Sequence, residues 1–206
     1  MQAICRRPRF ENIVTKPETQ KSTMPTGRFP KLHRAVHLAT LWHAGQDRKY
    51  SLVPYIVHPL RVMSIVRSVS DDEAMLCAAV LHDVVEDTLA TEHDVRREFG
   101  DEVADLVMWL TDVSVPEDGN RAARKDIDLQ HTANASPDAQ TIKLADLIDN
   151  TTSITGADPH FAVVYMAEKE RLLEVLDKGH PELQARAQVL LREFQENKLQ
   201  EAPRNG

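Results

Sequence analysis

Apolar residues recur every three to four positions along most of the chain, and no stretch alternates with a period of two for long enough to predict a strand. The predicted fold class is therefore all-α. The pattern predicts helices over 32–46, 59–69, 73–88 and 103–113, a helix that starts at Ser136-Pro137, and two closing helices around 161–172 and 183–194. Ser70 to Glu73 is a predicted capping box, with Ser70 as the N-cap, at the start of the central helix.

The central helix contains an apolar run, residues 78–88, that carries four ionisable side chains: His82, Asp83, Glu86 and Asp87. These groups need partners, because an unpaired charge at the edge of a core is costly. If the helix continues through this run, His82 lies one turn from Glu86, and Asp83 one turn from Asp87. The spacing predicts a pair of metal ligands, with two further acids placed to handle water and protons.

A second His-Asp pair, His93-Asp94, provides a comparison within the same chain. Its flanks are charged, and Thr91 and Asp94 have the spacing of an N-cap pair, which is typical of a solvated first helical turn. The dipeptide is therefore informative only in the apolar setting of His82 and Asp83.

His58 and Asp146 are the candidate partners of that pair. His58 precedes Pro59, which biases its backbone away from the helix and lets a new helix begin at the proline. Asp146 lies beside apolar positions of a predicted helix. Each is ambiguous alone, since a lone histidine is more often a satisfied core residue. Together, two imidazoles and two carboxylates suit a six-coordinate divalent metal.

The order of these motifs closely resembles the hydrolase domain of the RelA/SpoT proteins, in its stand-alone form, the small alarmone hydrolases of the metazoan SpoT-homologue type. The resemblance spans about residues 32 to 156 and is carried by 43–49, 54–59, 81–88, 99–100 and 143–146. It implies an HD-domain helical bundle with a metal site in its central cleft, and Mn²⁺ as the metal. About 50 residues follow the match, too few for the synthetase domain of that family.

The resemblance implies hydrolysis of the alarmones (p)ppGpp at the 3′-pyrophosphate, releasing GDP or GTP and pyrophosphate. By resemblance, the metal ligands are His58, His82, Asp83 and Asp146, the catalytic acids are Glu86 and Asp87, and the nucleotide contacts are Arg48, Lys49, Asn150 and Ser153. A basic cluster after the loop at 116–120 adds Arg121 and Lys125 as candidate phosphate contacts.

Two alternatives to this function stay open. The first is a related phosphohydrolase that acts on (p)ppApp or on NADPH, because Ser153, Leu147 and the segment 50–54 depart from the usual pattern at the pocket wall. The second is a non-catalytic nucleotide sensor. The Glu86-Asp87 pair argues against the sensor, since a binder needs no water-activating acids beside a full ligand set.

Composition and charge limit the classes of partner. Of the 206 residues, 1–31 form a predicted flexible tail with seven basic and two acidic residues, 32–200 a single HD-type domain, and 201–206 a second flexible tail. The formal net charge of the whole chain is −7, so the domain outside the basic tail is acidic, which argues against nucleic-acid binding. Two cysteines give no disulfide framework, and no apolar run suffices for a membrane span, so we expect a cytoplasmic protein.

Overall fold

The computed structural model describes residues 28–49, 52–157 and 159–201, and within them the predicted all-α class is confirmed. Most of the first predicted tail, and nearly all of the second, lie outside these ranges. The described helices are α1 Pro30–Trp42, α2 Val57–Arg67, α3 Glu73–Leu81, α4 Val84–Asp87, α5 Glu92–Phe99, α6 Asp101–Leu110, a 3₁₀ turn Pro116–Asp118, α7 Arg121–Asn134, α8 Pro137–Ala157, α9 Pro159–Val175 and α10 Pro181–Glu201.

Helix α3 is the centre of the bundle. All residues from Met75 to Leu81 are buried, so this helix has no polar face, which is typical of a helix surrounded by others. It packs against α1, α2, α6 and α8, and α8 in turn carries α9 and α10. None of the described helices is both long and apolar enough to cross a bilayer.

The start of α3 also fixes the start of α1. The predicted capping box is displaced by two residues: Asp72, not Ser70, is the N-cap, and its carboxylate accepts a hydrogen bond from the Met75 amide at 2.9 Å. At the first position of α3, the Glu73 carboxylate accepts from the amides of Lys31 and Leu32, at 2.7 and 3.2 Å. The acid thus satisfies the open amide end of α1, which has no side-chain cap of its own.

The helix predicted to run through residues 78–88 is interrupted. Helix α3 ends at Leu81, His82 and Asp83 lie between helices, and α4 begins at Val84. The predicted uninterrupted helix is therefore wrong. One helical hydrogen bond spans the break, from the Asp87 amide to the Asp83 carbonyl at 2.9 Å, so Asp83 and Asp87 remain one helical turn apart.

Helix α2 begins earlier than predicted. It starts at Val57, so His58 lies in the first helical turn rather than before it, and Pro59 occupies the third position. Proline is tolerated there because the first amides of a helix need no carbonyl partner within it. The preceding loop is closed by Gly45, whose φ of +78° suits glycine, and by an antiparallel bridge between Asp47 and Pro54.

Helix α8 starts as predicted, with the Ser136 hydroxyl accepting from the Ala139 amide at 3.2 Å and Pro137 in the first position. The sequence places Phe161, Val164, Ala167 and Leu172 on one apolar stripe of α9, and the prediction that this stripe is buried is wrong. The buried face of α9 contains Ala162, Met166, Lys169 and Leu173, while Val164 and Ala167 are exposed. A lysine therefore takes a core-facing position on α9.

Leu76, fully buried on α3, tests this architecture. We expect Leu76→Ala to lower the free energy of unfolding by about 2–5 kcal/mol, because it removes buried contacts and leaves a cavity. Urea denaturation followed by circular dichroism measures the change. The control is Leu52→Ala, since Leu52 is 95% exposed and its truncation should change stability by less than about 0.5 kcal/mol. Equal effects of the two substitutions would contradict a core centred on α3.

Candidate metal centre and active site

Four side chains predicted as metal ligands meet at the end of α3. The Nε2 atom of His82 lies 2.9 Å from Asp83 Oδ2, and the Nε2 atom of His58 lies 3.2 Å from Asp146 Oδ1. Across the site, His58 Nε2 is 3.6 Å from Asp83 Oδ2, and His82 Nε2 is 3.8 Å from Asp146 Oδ1. Three separate parts of the fold, α2, the break after α3, and α8, thus supply donor atoms to one point.

Both imidazoles are held by their other nitrogen. His58 Nδ1 lies 2.7 Å from Asp149 Oδ2, and His82 Nδ1 lies 2.9 Å from the carbonyl oxygen of Ala79. When each Nδ1 carries the proton and donates it to these acceptors, each Nε2 presents its lone pair to the centre of the site. This is the orientation in which two histidines could bind one metal ion.

The charges of the site also fit a divalent cation. Burial opposes the charged form of His82, but Asp83 and Asp146 outweigh it and raise the pKa of His82 to about 9. Burial would raise the pKa of Asp83, yet the neighbouring His82 holds it well below its usual range. His82 Nε2 is buried and makes no well-aligned hydrogen bond among the described residues, although Asp83 Oδ2 lies 2.9 Å away. A cation would replace the imidazole protons and use this lone pair.

Each candidate carboxylate ligand is oriented by neutral and basic neighbours. Asp146 Oδ1 accepts a hydrogen bond from Asn150 Nδ2 at 2.6 Å, and its Oδ2 is 3.3 Å from the Lys143 ammonium. Burial alone would raise the pKa of Asp146, but Lys143 and the two histidines hold it far below its usual range. Asp83 Oδ2 accepts from the Tyr55 hydroxyl at 2.6 Å. Both carboxylates therefore stay ionised and fixed in direction.

The two acids of α4, Glu86 and Asp87, lie at the solvent side of this centre. Although Glu86 is exposed as a residue, desolvation of its carboxylate and the charge of Asp112 raise the pKa of Glu86 to about 7, against the opposing effect of Lys143. Its Oε1 accepts a hydrogen bond from the Asp112 amide. Desolvation and Asp83 also raise the pKa of Asp87. Both acids can therefore exchange protons closer to neutral pH than ordinary carboxylates do.

Three of the predicted nucleotide contacts form one cluster. A terminal nitrogen of Arg48 donates to Asn150 Oδ1 at 3.1 Å and to Ser153 Oγ at 3.0 Å, and it lies 3.3 Å from Asp149 Oδ2. The Lys49 ammonium lies apart from this cluster, 5.2 Å from the ring centroid of Phe161, in cation–π geometry. The cluster joins the loop before α2 to α8, directly beside the candidate metal ligands.

A cavity of about 220 Å³ opens beside Asp146 and Asn150, between α7, α8 and α9. Lys125, predicted as a phosphate contact, lines it and is paired with Asp112 at 2.7 Å. Arg121 does not line the cavity. Its guanidinium makes two hydrogen bonds, both of 2.8 Å, to Glu168, which does line the cavity. The structure thus brings Lys125 to the cavity and leaves Arg121 one residue removed from it.

Several polar residues of the site were not predicted. They are Tyr55, Lys143, Asp149, Lys169 and Arg171, which contact the candidate ligands or line the cavity. Helical spacing offered one signal, since Lys143 and Asp149 each lie three positions from Asp146 and so share its side of α8. Lys169 carries no such signal. It is 1% exposed, and its ammonium donates to the Thr151 hydroxyl; burial lowers the pKa of Lys169 to about 8.

Comparison with known proteins identifies the class. A family model described as HD domain matches residues 35–172. The solved structure of a metazoan orthologue of SpoT, described as hydrolysing ppGpp and having a role in starvation responses, is similar with a TM-score of 0.72 and 30% identity, over 84% of this chain and 98% of that one. The chain belongs to the HD domain family.

Within that family the likeness is to hydrolases of the RelA/SpoT type, which confirms the resemblance found in the motifs. The chain is 38% identical over 141 residues to the guanosine-3′,5′-bis(diphosphate) 3′-pyrophosphohydrolase MESH1 of Drosophila melanogaster, covering 67% of this chain and 75% of that protein. It is 40% identical over 126 residues to the GTP pyrophosphokinase of Streptomyces coelicolor, but it matches only 15% of the length of that protein.

The two His-Asp pairs of this chain allow a matched test of metal binding. We expect His82→Gln to reduce bound divalent metal to below about a tenth of the wild-type content, because it removes a donor that faces the other three ligands. Plasma mass spectrometry of protein dialysed against Mn²⁺ measures the content. His93→Gln, at the exposed histidine of the other pair, should retain full metal content. Equal metal content in both variants would contradict the site.

Proposed function

We propose that the chain is a divalent-metal-dependent hydrolase that removes the 3′-pyrophosphate of ppGpp and pppGpp, releasing GDP or GTP and pyrophosphate. The observation that carries the proposal is the convergence of His58, His82, Asp83 and Asp146, beside two acids of raised pKa and a cavity lined by four basic and four acidic side chains. The named activities of the similar Drosophila and metazoan proteins support the same reaction.

Mn²⁺ is the proposed metal, with the same four residues as its ligands. The donor set contains imidazole nitrogens and carboxylate oxygens without a thiolate, which suits a six-coordinate cation with positions left for water. When bound, the cation would lower the pKa of a water molecule and withdraw charge from a phosphoryl oxygen. The chain contributes the fixed imidazoles and the two ionised carboxylates described above.

Glu86 and Asp87 are the proposed proton-handling residues. Hydrolysis forms a bond between a water oxygen and the phosphorus attached to the 3′-oxygen, and breaks the bond between that phosphorus and the 3′-oxygen. The attacking water loses a proton, and the departing 3′-oxygen gains one. A carboxylate with a pKa near neutrality can accept the first proton and return a proton later, which is the role that Glu86 fits best.

The arginine cluster and the cavity are the proposed binding site for the rest of the nucleotide. A guanidinium can stack on a purine and donate to phosphate oxygens, so Arg48 suits both parts of a nucleotide. Asn150 and Ser153 hold Arg48 in place, and the adjacent Lys49 adds a second positive charge. Lys125 lines the adjacent cavity, and Arg121 lies beside it.

Product analysis tests the reaction directly. Purified protein with Mn²⁺ is incubated separately with ppGpp, ppApp and NADPH, and the products are separated by anion-exchange chromatography. We expect GDP and pyrophosphate from ppGpp, and no turnover after EDTA. If only NADPH is turned over, with release of orthophosphate, the substrate is a phosphomonoester rather than the alarmone. Tight binding of ppGpp without turnover, in protein that holds metal, would identify a sensor instead.

Glu86→Gln tests the proton-handling role. We expect kcat to fall by two or more orders of magnitude, because an amide can accept no proton, while the metal content stays near that of the wild type. Glu102→Gln, at an exposed acid of α6, serves as the matched control and should keep wild-type kcat. If Glu86→Gln keeps full activity, another group must transfer the proton.

The pH dependence of kcat follows from the same carboxylate. A base with a pKa of about 7 is protonated and inactive at low pH, so kcat should rise about tenfold per pH unit below 7 and level off above it. Initial rates with ppGpp between pH 5.5 and 8.5 measure this profile. Glu86→Gln should lose the rising limb near pH 7; a variant that keeps it would place the titrating group elsewhere.

A further inference from the structure

Asp149 lies directly behind the candidate metal centre and is shared by two of its groups. It is 7% exposed and follows Asp146 by three positions on α8. A single oxygen, Oδ2, lies 2.7 Å from His58 Nδ1 and 3.3 Å from a terminal nitrogen of Arg48. One buried carboxylate therefore contacts both a proposed metal ligand and a proposed nucleotide contact.

The contact to His58 has a specific chemical effect. A carboxylate that accepts the Nδ1 proton fixes the tautomer in which Nε2 is the free donor, and it makes that nitrogen a stronger ligand. His58 is buried, and its Nε2 lies 3.2 Å from Asp146 Oδ1 and 3.6 Å from Asp83 Oδ2. Asp149 thus holds the imidazole in the direction that metal binding requires.

The contact to Arg48 has a parallel on the next residue of α8. Asn150 Oδ1 accepts from Arg48 at 3.1 Å, while Asn150 Nδ2 donates to the proposed ligand Asp146 at 2.6 Å. Arg48 therefore reaches one histidine ligand through Asp149 and one carboxylate ligand through Asn150. The Arg48 guanidinium, which would bind the nucleotide, therefore contacts the same two side chains, Asp149 and Asn150, that contact the proposed metal ligands.

We infer that Asp149 is a positioning residue with two roles: it orients His58 for the metal, and it places Arg48 relative to the metal centre. The second role rests on the proposed function, because it takes Arg48 to be a nucleotide contact. The first role does not, since it requires only that His58 binds a metal ion. The two roles are separable by measurement.

Metal affinity tests the first role. We expect Asp149→Asn, which keeps the shape and removes the charge, to raise the Kd for Mn²⁺ by about tenfold, and Asp149→Ala, which removes the acceptor, to raise it by up to about 100-fold. Isothermal titration calorimetry of metal-free protein measures both. The matched control is Asp138→Asn, at an exposed aspartate of the same helix, which should leave the Kd within about twofold of wild type.

The tautomer of His58 provides a readout that does not depend on activity. In ¹⁵N-histidine-labelled protein with a diamagnetic metal that imidazole binds, such as Zn²⁺, long-range ¹H–¹⁵N spectra distinguish protonated from unprotonated ring nitrogens. We expect His58 to be protonated at Nδ1 in the wild type and to lose this preference in Asp149→Ala. Thermal unfolding without metal confirms that each variant is folded; if Asp149→Ala is not, Asp149→Asn carries the test.

Arg48→Met tests the nucleotide contact on which the second role rests. We expect it to weaken GDP binding by tenfold or more in the presence of Mn²⁺, while the Kd for Mn²⁺ stays within about threefold, because Asp149 keeps its bond to His58. Unchanged metal affinity and an unchanged His58 tautomer in both Asp149 variants would overturn the inference. Weaker metal binding in Asp149→Asn, in a protein that does not hydrolyse ppGpp, would instead uphold the first role and reject the proposed function.

Discussion

The whole arrangement depends on buried charge at one end of the central helix. Asp83 and Asp146 are two carboxylates near the same two imidazoles, in a part of the fold where unpaired ions are costly. Each carboxylate is stabilised by neighbouring hydrogen-bond donors. Tyr55 donates to Asp83, and Lys143 and Asn150 contact Asp146. These partners orient the carboxylates without filling the space between them. A divalent cation bound between them would complete the balance and make such a polar cluster compatible with an otherwise apolar bundle.

The break between α3 and α4 falls at the candidate ligand pair itself. The backbone of both residues stays in the helical region there, with φ −57° and ψ −33° at His82 and φ −98° and ψ −5° at Asp83. In the structure His82 and Asp83 stand outside both helices, and the donor atoms of these neighbours lie 2.9 Å apart. The apolar part of α3 fixes where this break occurs, because its buried residues lock the helix against α1, α2, α6 and α8. Core packing and ligand geometry are therefore determined together.

The sequence predicts features that depend on the local residue pattern, but not features that depend on contacts between helices distant in sequence. The all-α class and the meeting of His58, His82, Asp83 and Asp146 were predictable, because ionisable residues in apolar helical stripes need a common partner. The start of α2 was not, since a proline suits several positions of a first turn.

Helix α9 shows the same limit more clearly. Its apolar residues suggested one buried face, yet the buried face includes Lys169, whose place is set by the Thr151 hydroxyl on α8. Asp149 lies three positions from Asp146 on α8, so periodicity gives its face and not its partner, and the packing of α2 brings His58 to it. Contacts between helices far apart in sequence are what the pattern could not supply.

The cations around the cavity differ in how readily they could serve an anionic substrate. Lys125 pairs with Asp112 and Arg171 pairs with Asp126 through side chains that are all at least 36% exposed, and exposed ion pairs contribute only about 0–1 kcal/mol. A phosphate group can take over such cations at little cost. Lys143, by contrast, faces the deeply buried Asp146, and Arg48 faces Asp149. An incoming nucleotide would therefore break the exposed ion pairs of Lys125 and Arg171. It would leave intact the pairs of Lys143 and Arg48, which orient the candidate metal ligands.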